Sequence, residues 1–225
     1  MAGAVSAGWT LRADVPDGIF TLAIEADDET AAAEHAAFAD RALPLLTRAD
    51  PGADPERLRS SVIEQLSSLR RAVAGSGVGY LGAVAGQDGE RVSLVLLSVA
   101  GTPATYPPGI DPAPALAAKM REQYPEADVE EFETPAGSAV GLRRLELMPG
   151  LPEGYEVAAG VAQAVVPFPD AGLLGTVTGY SYAAQDIDTA AVLTAVTACR
   201  MRAVEPGGGD RATSKSLAET EPQLP

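Results

Sequence analysis

The sequence predicts an α+β fold, a central and mainly antiparallel sheet covered by helices (an α/β sandwich). Three observations carry this. Helical and strand-like segments interleave, but no helix follows nearly every strand as a doubly wound parallel sheet requires. The segment VSLVLLSV (92–99) is apolar at both alternating sets of positions, which suits a strand covered on both faces in the middle of a sheet. Four strand-like segments between 127 and 182 are joined by short turns, and short links favour antiparallel pairing.

Taken in order, WTLRADVP (9–16) and IFTLAIEA (19–26) read as two short strands around the turn residues Pro16, Asp17 and Gly18. The alanine-rich stretch 27–46 reads as a helix whose early acids suit the positive end of the helix dipole. Thr30 or Asp28 is the expected cap, and Pro44 limits the end. A second helix follows from Glu56, with Leu58, Val62, Leu66, Leu69 and Val73 on one buried face and Gly75 and Gly77 closing it. VGYLGAVAG (78–86) and RVSLVLLSVA (91–100) flank an Asp88-Gly89 pair, a strong hairpin signal.

A proline-rich loop (102–112) leads to a short helix, APALAAKMREQY (113–124). The strand candidates are then ADVEEFET (127–134), SAVGLRRLEL (138–147), EVAAGVAQAVV (156–166) and LLGTVTGYSY (173–182). A last helix is expected over 188–202, capped by Asp186 or Asp188. Val192, Val196 and Cys199 would lie on its core stripe, with Ile187 and Val192 stapling its start. These pieces form a single domain over 1–203. Residues 204–225 are polar and rich in Pro and Gly, and are expected to be a disordered tail.

Composition narrows the function classes. A formal net charge of −15 disfavours nucleic acid and anionic membrane surfaces, because phosphate contacts need a basic face. Position 199 holds the single cysteine, so no intramolecular disulfide or cysteine-rich zinc site is available. The start lacks a signal-peptide pattern and no stretch is apolar enough to span a bilayer, so a cytoplasmic location is expected. Only two lysines, with much Ala, Gly and Pro, resemble the usage of an actinobacterium.

No catalytic, cofactor-binding or metal-binding set is predicted. His35 is the single histidine, expected on a surface or helix flank, and no G-x-S-x-G is present for a serine nucleophile. G-S-G-V-G at 75–79 stands between helix and strand, the reverse of the order that brings phosphate to a helix N-terminus. The densest charge is acidic: Glu122, Glu126, Asp128, Glu130, Glu131 and Glu133. It reads as an exposed edge strand, where charge discourages aggregation. Arg143 and Arg144 point to opposite faces of the next strand, and one of them is expected to pair with the acids.

The candidate partner-binding residues are therefore Glu126, Asp128, Glu130, Glu131 and Glu133, with Phe168 and Asp170 of the turn PFPDAG. Phe168 is either an exposed anchor or a ring folded back over the sheet edge. This points to a non-enzymatic protein-binding or adaptor protein, immunity- or chaperone-like, with a basic protein partner and homo-oligomerisation as the expected associations. The alternative is a small-molecule or lipid-binding module with a pocket between sheet and helices, aided by Tyr80, Tyr180 and Tyr182.

The layout of WTLRADVP, VSLVLLSV and LLGTVTGYSY followed by DIDTAAVLTAV resembles the PsbP-like and LpqN-like fold family over about residues 8–202. The resemblance implies an antiparallel sheet between helices and roles in binding or assembly without catalysis. It supplies no binding residue to carry over. The extra helix before the central hairpin and the lack of a lipoprotein signal depart from the family pattern.

Overall fold

The computed structural model describes residues 9–22, 24, 27–74, 78–88, 91–147, 158–181 and 183–205. Short strands β1 (Thr10–Ala13) and β2 (Phe20–Leu22) precede helices α1 (Asp28–Ala49) and α2 (Pro55–Val73). Long strands β3 (Val78–Asp88) and β4 (Arg91–Pro103) follow, then α3 (Ala113–Gln123). Strands β5 (Asp128–Thr134), β6 (Gly137–Leu147), β7 (Ala158–Phe168) and β8 (Leu173–Ser181) form an antiparallel run. Helix α4 (Ile187–Ala198) and strand β9 (Met201–Val204) complete the order.

Seven strands make one antiparallel sheet in the order β2-β3-β4-β8-β7-β6-β5. The expected α+β sandwich is present, and VSLVLLSV lies inside the sheet between β3 and β8. Leu96 faces the helical pair α1 and α2, packed with Leu81, Phe38 and Leu66. Leu97 and Val99 face the other way, toward Val177, Ala198 and Met201. One face of the sheet is thus covered by α1 and α2 over its β2–β4 half, and by α3 against Val140 of β6. The opposite face carries α4 together with a small ribbon.

That ribbon is the main departure from expectation. β1 does not turn back onto β2; it pairs antiparallel with β9, Thr10 opposite Val204 and Ala13 opposite Met201. β2 pairs with β3 instead. The last helix stops at Ala198, and Met201 and Arg202, expected to be helical, begin the strand MRAV. Met201 is buried beneath the ribbon and Leu11 packs beside it, so closing the sheet's apolar face outweighs one more helical turn. The domain accordingly includes Val204, and residues 206–225, where the tail is expected, lie outside the described residues.

Helix ends also differ. α1 is capped by Asp27, whose carboxylate accepts from Thr30 N at 2.8 Å, and it continues through Pro44 to Ala49. α2 begins with Pro55 at its first turn under an Asp54 cap, and its predicted stripe does face inward, with Val62 and Leu66 fully buried. The glycines expected to close it at 75 and 77 lie outside the described residues.

α4 presents the opposite side from the one its apolar spacing suggests. Val192 is 62% exposed and Val196 36%, while Ala190, Thr194, Thr197 and Ala198 face the sheet. The reason is distance. A Cβ at Gly179 would lie 2.5 Å from Thr194 Oγ1 and 2.9 Å from the Ala190 carbonyl oxygen. A Cβ at Gly160 would lie 2.9 Å from Ile187 Cβ. The helix sits directly on glycine backbone, so only small side chains fit beneath it. Cys199, at the helix's C-terminal cap, is half-buried and not the core residue expected, and no Ile187–Val192 staple forms because Val192 points to solvent.

Candidate functional site

β5 is the outermost strand of the sheet, as the acidic composition of its sequence suggests. Glu126 stands in the turn before it, and Asp128, Glu130, Glu131 and Glu133 are all exposed. Strand alternation divides them between two faces. Asp128 and Glu130 share the α4 side with Phe132, while Glu131 and Glu133 share the α3 side with Val129. The acids form a charged rim around an edge, not one flat face.

Neutralisation along that rim is uneven. Asp128 lies opposite Arg143 in the ladder and binds its guanidinium, which also reaches Asp188 of α4 at 3.1 Å. These carboxylates raise the Arg143 pKa, the Asp128 hydrogen bond foremost. Arg121 of α3 stands 4.0 Å from Glu131. Glu133 and Asp111 both stand within hydrogen-bond reach of the Ser138 hydroxyl, at 3.2 and 2.8 Å. Glu130 lies close enough to Arg143 to help raise its pKa, whereas Glu126 has no ion-pair partner among the described residues. Arg144, on the other face as alternation requires, lies 4.2 Å over the Tyr124 ring and binds Glu146.

At one end of β5 the acidic rim meets the PFPDAG turn. Phe168 is the last residue of β7 and is 8% exposed, packed with Met201 and Ala171, so the ring folds back and is no free anchor. Asp170 is exposed in the 3-10 turn Pro169–Ala171. Between this turn and the β5–β6 turn lies an apolar pit of about 360 Å³. Its walls are Trp9, Phe168 and Met201 with Pro135 and Ala136, and Asp170 and Arg202 stand at its rim. Arg202 is tied to Asp14 at 3.2 Å. Trp9 and Met201 are walls that sequence reasoning missed; both depend on the β1–β9 pairing, which no local signal announces.

The remaining candidates scatter. His35 is buried at 2% exposure between α1 and α2, not on a surface flank, with Nδ1 3.0 Å from Ser67 Oγ. Its pKa is lowered by burial first and by Arg70 second. Tyr80 and Tyr180 lie on opposite faces of the sheet, with Tyr80 among the β1–β9 core and Tyr180 beside α2. Tyr182 lies outside the described residues. Among the described residues, no group of three or more His, Cys, Asp or Glu is placed to hold a metal ion, and no helix is long and apolar enough to cross a membrane.

No family model, curated protein or solved structure matches the chain. Only the chain's own geometry bears on its function.

Proposed function

We propose that this is a non-enzymatic binding or adaptor protein of the cytoplasm, immunity- or chaperone-like, that engages a basic protein partner along the β5 edge and seats an apolar side chain of it in the adjoining pit. The observation that carries this reading is the junction of the two features. An exposed row of carboxylates, in which Glu126 has no ion-pair partner among the described residues and Glu130 shares the Arg143 guanidinium with Asp128 and Asp188, runs to a pit walled by Trp9, Phe168 and Met201. Apolar anchors in a pocket beside complementary charge are how protein interfaces concentrate their binding energy. The formal charge of −15 adds long-range attraction for a cationic partner. The PsbP-like layout, with its binding and assembly roles, is part of the same proposal.

The test is affinity capture from the source cells with the full chain and with a Glu126→Gln, Glu130→Gln, Glu133→Gln triple variant. The reading expects one stoichiometric basic protein, released by about 0.5 M salt as the charges are screened, and lost from the triple variant. Empty capture, or retention of the same protein by the variant, overturns it.

A further inference from the structure

The α1/α2/α3 face of the sheet carries a second feature, independent of the acidic rim. Along β8 the residues facing α4 (Gly175, Val177, Gly179 and Ser181) are all buried, while Leu174, Thr176, Thr178 and Tyr180 on the reverse are all half-exposed. The helical pair covers β2 to β4 and α3 covers Val140 and Val129 near the far edge. Over the sheet beside α2 is a groove of about 520 Å³, with Gln65, Ser68, Leu69 and Ala72 of α2 forming one bank and Glu146 of β6 on the other side. That volume lies within the usual range of small-molecule sites.

Its floor is unusual for a sheet interior. Ser98 and Thr178 line it, and ladder register sets Gln163 of β7 beside Thr178 just beyond the lining, one polar row across the three central strands of the sheet. Ser98 Oγ has no hydrogen-bond partner among the described residues. Gln163 Nε2 meets Thr178 Oγ1 only at 3.5 Å, a weak contact that leaves most of its amide's capacity unused. All three side chains are half-exposed, so their polar groups are open to a ligand as they are to water. Leu81, Leu96 and the Tyr180 ring give the groove its apolar side. The one charged residue of the lining, Glu146, is paired with Arg144, and the lining holds no cation to favour an anionic ligand.

We infer that this groove binds an uncharged small molecule of about capped-dipeptide size, laying an edge of amide groups on Ser98 and Thr178, with Gln163 next in the row, and an apolar body against Leu69, Leu96 and Tyr180. Burial, with the nearby Glu146 carboxylate, raises the Tyr180 pKa, so its phenol remains a hydrogen-bond donor at neutral pH.

The experiment uses the full chain, labelled with nitrogen-15, and two probes differing only in charge: N-acetyl-leucyl-alaninamide and N-acetyl-leucyl-alanine. The amide probe should give saturable shifts at the backbone amides of Ser98, Gln163 and Thr178 and of the α2 bank. The carboxylate probe should bind about 10-fold more weakly, as should the amide probe to Gln163→Leu or to the near-isosteric Thr178→Val, each removing one hydrogen-bonding group of the polar row. Two variants are used so that misfolding of one leaves the other decisive. Absence of saturable shifts, equal binding of the two probes, or shifts at the Trp9 pit overturns the assignment.

Discussion

His35 Nδ1 stands 3.0 Å from Ser67 Oγ, joining α1 to α2 inside their interface. Burial and Arg70 together hold the imidazole below its ordinary value of 6.5, against an upward pull from Glu34. The neutral ring is therefore favoured in the fold and the protonated ring in the unfolded chain. The stability this supplies is complete above the unfolded value and falls as pH drops from about 6.5 through the lower folded value. Urea midpoints should decline on acidification in the native chain by more than in His35→Gln, whose other groups titrate alike. Parallel curves for the two would show that the ring titrates unperturbed.

The contact of α4 with the glycines beneath it gives a second expectation. Gly179→Ala forces a methyl against Thr194 Oγ1 and the Ala190 carbonyl, neither a flexible side-chain end. The cost should be about 2 kcal/mol or more, as for other overpacked interiors. Thr194 Oγ1 is itself buried without a hydrogen-bond partner. Thr194→Val, near-isosteric, should raise stability by about 1 kcal/mol by removing that unsatisfied oxygen. Denaturation midpoints that move in the opposite sense for either variant would count against this packing.

The exposed side of α4 separates the observed orientation from the one read in sequence. Val192→Ser should change stability by less than about 0.5 kcal/mol, as surface substitutions do. Ala190→Leu, into the layer of Val95 and Ala162, should cost several-fold more. A large loss in the valine variant would restore the inward-facing stripe.

Arg143 bridges the edge strand and the start of α4 through Asp128 and Asp188. All three side chains are substantially exposed, so Arg143→Ala should cost no more than about 1 kcal/mol. The loss should shrink when the salt concentration is raised to about 1 M. A salt-independent loss would mean that the arginine stem, not its charge, holds the strand.

Much of the fold is legible because its signals are local. The Asp-Gly hairpin, the two-sided apolar strand of β4, the stripe of α2 and the turn-linked run β5 to β8 each follow from residues within one or two elements. The remainder is not local. Met201 to Val204 is a strand only because Thr10 to Ala13 lies opposite it, a pairing across nearly the whole described chain. α4 is apolar on nearly every side, so its sequence carries little amphipathic direction, and Gly160 and Gly179 on two other strands choose its buried face. His35 sits among alanines, and only the arrival of Ser67 from α2 makes its position interior. At the site, the acidic edge and the pairing of one of Arg143 and Arg144 with it were readable, whereas which arginine pairs, the pit and the polar row of the groove arise from sheet order.

The β1–β9 ribbon constrains how this chain reaches its native state on the ribosome. Leu11 and Met201 cover the same core beside Val177 and Phe168, and neither strand has a partner until the other has been synthesised. A nascent chain that has completed all seven strands of the main sheet still leaves that apolar face open to solvent. Closure waits for β9, which is made after every strand of the main sheet. Because Thr10 and Val204 then lie opposite each other, a circular permutant joining them by a short linker and opening elsewhere would form its clasp first.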